Sequence, residues 1–331
     1  MWVKHAKLFV IVVVVSVCVC AGNSRGAVMS PSPGLDKAVR LVLGPLRYTA
    51  QYNYVMTGKV RLLLPWLSAE DVGGGYIRRG VAESDPSAHF IQVLFGSDPS
   101  KAPRHINHWG AATEASSTTF SALFGFMKSV KTGSVGAAES EIRRQEDNGQ
   151  HMFEGIVSYI DSESALSRVV PLSSDNNFNL RQLPQATQLV AQRVNAVSGL
   201  RTLTAFERKC TASRGFLQAV DELSQQALSN PAEGRSLCYI YNARNYTLTL
   251  RKRSTVKTES VDVDLKNGDK VVRNYSDLVS TEFSVLNHSS GETTDFELLL
   301  ATSGQLRGIP VRIVYQPNFW FKVVLDLESS Q

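Results

Sequence analysis

Over most of the chain beyond Tyr48, apolar and polar positions alternate with a period of two, the spacing of a strand with one covered face. In "RYTAQYNYVMTGKVRLLLPWL", Tyr48, Ala50, Tyr52 and Tyr54 fall on one side and Thr49, Gln51 and Asn53 on the other; Pro65 ends the second strand there. The three glycines Gly73, Gly74 and Gly75 in "DVGGGYIRRGV" predict a turn or bulge, since a phosphate cradle needs other spacings and a following helix. "HFIQVLFG", "GQHMFEGIVSYI" and "SALSRVVPL" predict further strands.

The alternation is clearest in the last hundred residues. Val261, Val263 and Leu265 lead into Asn267-Gly268, a pair suited to a type I′ hairpin turn. Asp262 and Asp264 resemble the start of a calcium loop, but Lys266 and Asn267 stand where that loop wants an oxygen ligand and a glycine, so the hairpin is the better reading. "TEFSVL", "DFELLLA", "IPVRIVYQ" and "FWFKVVLDLE" follow as strands separated by turn residues. In the last, Phe319, Phe321, Val323, Leu325 and Leu327 share one wholly apolar face, which must cover a core or a cavity.

Elsewhere the period lengthens. Leu35, Val39 and Val42 predict a short helix. Phe120, Leu123, Phe124, Met127 and Val130 predict another over 116–130, after the capping candidates Ser116 to Thr119. Residues 181–229 read as a helical block, with one apolar stripe from Leu189 through Val190, Val194, Val197, Leu200, Leu203 and Phe206 to Cys210. A second stripe holds Phe216, Leu217, Val220, Leu223 and Leu228, closed before Pro231.

These elements predict an α+β fold: a large, curved antiparallel β-sheet, half-barrel-like, with a helical block at about 181–229. The expected organisation is a signal peptide at 1–22, a flexible leader at 23–34 rich in Gly, Pro and Ser, and a single exported domain over 35–331. That domain would be β-rich over 46–175, helical over 181–229 and β-rich again over 236–328.

The export reading comes from "MWVKHAKLFVIVVVVSVCVCAG": Lys4 and Lys7, then an apolar run from Leu8 to Cys20, then Ala21 and Gly22. The run is short for a membrane span. Lipid attachment at Cys20 is the alternative, though Val19 is bulky for the residue before a lipidated cysteine. A periplasmic or extracellular protein that does not span the membrane is expected. Losing Lys4 and Lys7 lowers the formal charge from +5 to +3, and the basic residues cluster only at "RKRSTVK", Arg251–Lys257. That cluster suits a solvated sheet edge, and nothing beside it resembles a nucleic-acid groove. Outside the leader, Cys210 and Cys238 remain, a pair for one structural disulfide in an oxidising compartment. Asn245, Asn274 and Asn287 are glycosylation acceptors by sequence, with two of the three in expected strands.

The nearest approach to catalytic chemistry is "DPSKAPRHINHWGAATE". His105 and His108 could give two zinc ligands, with Glu114, His89 or His151 as a third, but two intervening residues in a proline-flanked stretch match zinc spacings poorly. The segment reads as a polar loop with Trp109 turned to the core. The one G-x-S-x-G, Gly22 to Gly26, falls at the end of the apolar leader and not between a strand and a helix. No cofactor is called for. The sequence therefore points to non-enzymatic binding of an apolar or amphipathic ligand such as lipid, with Phe319, Phe321 and Val323 as candidate contacts. The architecture is similar to that of bacterial lipoprotein carriers with half-barrel folds, a likeness of fold with no motif behind it. The alternatives are an envelope interaction module that pairs with a partner protein through strand edges, and a metal-dependent hydrolase built on the His105/His108 segment.

Overall fold

The structure, a computed structural model, describes residues 33–61, 66–98, 100–102, 107–130, 153–172, 183–194, 199–203, 207–210, 213–229, 233–264, 270–318 and 321–330. The leader reading, including Cys20, lies outside the described residues, as do His105, Phe319 and the Asn267-Gly268 turn.

Among the described residues, fourteen strands form one sheet in which each neighbouring pair is antiparallel. One meander comprises β1 (Leu46–Arg61), β2 (Trp66–Ala82), β3 (His89–Ser97), β4 (Asn107–Ser116), β5 (Phe120–Val130), β6 (Phe153–Asp161), β7 (Ala165–Leu172) and β8 (Gly199–Leu203). The other comprises β9 (Ser236–Tyr241), β10 (Arg244–Asp264), β11 (Lys270–Asn287), β12 (Thr293–Ala301), β13 (Pro310–Asn318) and β14 (Phe321–Ser330). They join where β1 pairs with β14, Tyr54 facing Leu327. The middle of the sheet is thus its first and last strands, while β8 and β9 form its two ends.

Strand twist makes so wide a sheet curl, and here its ends approach each other. The Ser167 hydroxyl on β7 bonds Asn242 at the β9–β10 turn (2.5 Å), and the Asn242 N–H donates to the Ser158 hydroxyl on β6 (3.0 Å). Glycine allows the tight approach of β1, β2 and β3: a Cβ at Gly75 would collide with the Leu94 carbonyl oxygen.

Among the described residues, three α-helices fill the two sides: α1 (Pro33–Leu43), α2 (Leu183–Gln192) and α3 (Phe216–Ser229). On the concave side, Phe216, Leu217, Leu223 and Ala227 of α3 pack with Tyr54, Val93, Leu123, Leu250, Phe283, Leu298, Ile313 and Val323 from both meanders. On the reverse side, Leu35 and Leu41 of α1 and Val190 of α2 cover Phe90, Leu94, Phe124, Phe126 and Tyr159. Strands β3 to β5 are therefore buried on both faces.

The α+β class and the curved antiparallel sheet match expectation, and the alternation of β14 does too: Phe321, Val323, Leu325 and Leu327 all enter the concave core. Four local expectations are corrected. The helix predicted at 116–130 is strand β5; with both faces covered its apolar residues run continuously, and the run mimics a helical stripe. The loop predicted across 105–114 is largely strand β4, whose Ala111, Ala112 and Ala115 are small because helices pack closely on it. The first stripe of the helical block is helical only to Gln192; Gly199–Leu203 is β8, and Cys210 lies in the coil before α3. Gly73–Gly75 sit within β2 rather than at a turn, with the bulge just before them at Asp71.

Candidate functional site

Helix α3 lies within the curl of the sheet, held at several points by side chains from distant strands. At its N-terminus the Glu114 carboxylate of β4 accepts the backbone N–H groups of Leu217 (2.8 Å) and Gln218 (3.0 Å). These are donors that the helix itself leaves unpaired, and the helix dipole favours an anion there. Gly215 has no side chain because a Cβ would press on Glu114 and Ser121. Burial pushes the Glu114 carboxyl up to about 7, against the lowering effect of its hydrogen bonds.

Further along, Arg79 of β2 pairs with Asp221 of α3, and Arg214 grips Glu222 through two contacts of 2.7 and 3.1 Å. Near the C-terminus the Arg253 Nε–H of β10 donates to the Ala227 carbonyl (2.8 Å). Cys210 and Cys238 form a disulfide with Cα atoms 5.4 Å apart, tying the segment that enters α3 to β9.

Between α3 and the sheet is a cavity of about 70 Å³. Ile77, Ile91, Val93, Val220, Leu298 and Ile313 give it apolar walls, and Arg79, Asp221 and Ser224 also line it. Side chains of Arg79 and Asp221 are 30% and 31% exposed, so this charged pair marks the border between the apolar interior and solvent. The Ser224 hydroxyl and Arg79 Nε are buried and, among the described residues, without a hydrogen-bond partner. The site is an apolar slot with polar atoms at one border, a form that suits an amphipathic molecule.

Of the sequence-predicted contacts, Phe321 and Val323 belong to the same apolar core but do not line the cavity, and Phe319 lies outside the described residues. Cavity residues Ile77 and Ile91 carried no signal beyond ordinary apolar alternation, and Val220 none beyond its place in a helical stripe. Of the candidate metal ligands, His108 and Glu114 both lie on β4, six residues apart. A strand rises about 3.3 Å per residue, which separates them by about 20 Å. Glu114 is engaged with α3. Among the described residues, no group of three or more His, Cys, Asp or Glu side chains is placed to hold a metal.

No protein-family model matches the chain, and no curated protein does. Among solved structures the chain is similar to a beta-barrel-like protein of domain of unknown function DUF1849 from Brucella abortus. The identity is 8%, the TM-score 0.42, and the match covers 87% of this chain and 99% of that one.

Proposed function

We propose that the protein is an exported, non-enzymatic binder of an apolar or amphipathic ligand, such as lipid, taken up between α3 and the concave face of the sheet. The observation that supports this reading is the apolar cavity bordered by the half-exposed Arg79–Asp221 pair. A space of about 70 Å³ holds only a group or two the size of water, so a hydrocarbon chain would enter by displacing α3 outward. Most of α3's polar ties, to Glu114, Arg79, Arg214 and Arg253, are exchangeable for water or headgroup contacts as it moves. Phe321 and Val323 would meet the chain as it advances into the shared core. The apolar leader and the Cys210–Cys238 bond both suit an oxidising compartment outside the cytoplasm. Among the described residues, no helix is long and apolar enough to cross a membrane.

Native mass spectrometry of the gently purified protein tests the reading. Bound species released by organic solvent are expected. Protein that is consistently ligand-free and takes up no added fatty acid or phospholipid would reject it.

One observation favours a second reading, an envelope interaction module. β10 pairs with β9 only from Arg244 to Thr249, so along Arg251–Lys257 its one neighbouring strand among the described residues is β11, with Arg253 engaged by Glu233 and by α3. Such an edge can take a partner's strand. Crosslinking in the native host distinguishes the two: a reproducible protein adduct on β10 favours the module, and its absence favours the carrier.

A further inference from the structure

A second cavity, of about 340 Å³, lies on the opposite face of β13 and β14 from the α3 slot. Arg312 and Val314 line it, whereas Ile313 and Tyr315, on the other face of β13, line the α3 slot. Its size falls within the range of small-molecule sites, about 300–1,000 Å³. The floor is a cross-strand row in which Val314 faces Val324 and Val324 faces Thr57.

β10 closes over the cavity. It is separated from β13 by β12 and β11 in the sheet, yet Glu259 of β10 pairs with Arg312 of β13, and the neighbouring Ser260 lines the cavity. Arg312 is satisfied by Glu259 and by Asp326, 2.6 Å away. Asp71 is paired with Lys101.

Two cations in this pocket stand differently. Lys59 on β1 and Lys322 on β14 are directly opposite in the antiparallel register, so both side chains leave the same face. Like charges so placed repel each other; among the described residues neither makes an ion pair, and the carboxylate that feels the Lys59 charge, Asp326, is already held by Arg312. Glu70 and Glu297 also line the pocket, both exposed, which restricts the complementary ligand to one anionic group rather than charge along its length.

We infer that this pocket binds a small organic acid, carboxylate or phosphate, whose anionic group bridges Lys59 and Lys322 and whose short apolar part rests on Val314 and Val324. The site is separate from the α3 slot, and each can fail without the other. The test is calorimetry on the purified protein at fixed ionic strength in chloride, with hexanoate, hexyl phosphate, acetate and inorganic phosphate as probes. At least one hexyl probe should bind saturably and at least threefold more tightly than its chain-free counterpart, which separates an organic acid from a free anion. Lys59→Gln and Lys322→Gln should each weaken it at least tenfold, while Lys257→Gln on exposed β10 leaves it unchanged. Ligand-free Lys322→Gln should melt no lower than the parent protein, because a repulsive pair has been removed. Absence of saturable binding by all four probes, binding that survives both lysine substitutions, chain-free anions binding as well as hexyl ones, or a lowered ligand-free midpoint would each overturn the inference.

Discussion

The Glu114 carboxylate on β4 accepts the backbone N–H of Leu217, 2.8 Å away in the first turn of α3, across 103 residues of sequence. Leu217 also lines the apolar slot. The contact therefore fixes the helix end that borders the proposed binding space. Replacing Glu114 by Ala strands the Leu217 and Gln218 N–H groups in a buried place. A loss of about 2–4 kcal/mol is expected in urea unfolding. An unchanged midpoint would show that the capping contact contributes nothing.

The same carboxyl makes stability depend on pH with a definite sign. Its folded value, about 7, lies above the ordinary 4.5. Between those values the folded protein holds a proton that the unfolded chain releases. Stability from this group is therefore full below pH 4.5, declines as pH rises to 7 and is level above. The shift corresponds to about 3 kcal/mol. Comparing the parent protein with Glu114→Gln at pH 4.5 to 8 isolates the group, because the amide does not titrate. The difference between the two should change across that window and stay flat above it.

Ser224 is expected to trade stability against binding. Its hydroxyl is buried without a partner among the described residues and lines the slot. Ser224→Ala should raise stability by about 1 kcal/mol by removing an unsatisfied polar group. It should also weaken binding of a fatty acid relative to a hydrocarbon of equal length, if the hydroxyl serves a ligand headgroup. Thermal unfolding and titration of the two ligands check both halves.

The Cys210–Cys238 bond spans 28 residues, a loop that contains all of α3. The loop-entropy argument gives a stabilisation of about 3–4 kcal/mol. Reduction, or the Cys210→Ser/Cys238→Ser double variant, should lower the urea midpoint by the corresponding amount. Local hydrogen exchange in α3 should rise more than in β11, because the bond anchors the segment that enters the helix.

Much of this architecture was legible in the sequence where one face of a strand is apolar and the other carries polar side chains, as Lys322, Asp326 and Glu328 do on β14. β14 and the β10–β11 hairpin alternate cleanly, because their two faces meet different surroundings. The reading failed where both faces are dry. β5 carries Phe120, Phe124 and Phe126 toward α1 and α2 and Leu123 toward α3, and its Ser121 is buried beside Gly215, so no solvent-facing residue marks its period over 120–126. β4 is built of small residues that have weak strand preference. A bulge between Tyr48 and Ala50 leaves Tyr48 43% exposed beneath Arg78, while Ala50, Tyr52 and Tyr54 pack on the core, so a four-residue face in the sequence becomes three in the fold. The slot itself had no sequence signature. Its residues come from β2, β3, β12, β13 and α3, and Glu114, counted among the metal candidates, gains its helix-capping role only from a partner far along the chain.

Photolabelling tests most directly the claim that an apolar ligand lodges between α3 and the sheet. The purified protein would be loaded with a fatty acid bearing a diazirine near its methyl end, irradiated, digested and sequenced by mass spectrometry. The account predicts saturable adducts within 216–229 and on the facing strands, at Ile77, Ile91 or Ile313, suppressed by excess unlabelled fatty acid. Labelling that no competitor suppresses, or that falls only on outward-facing positions such as Arg251, Lys252 and Lys257, would contradict it.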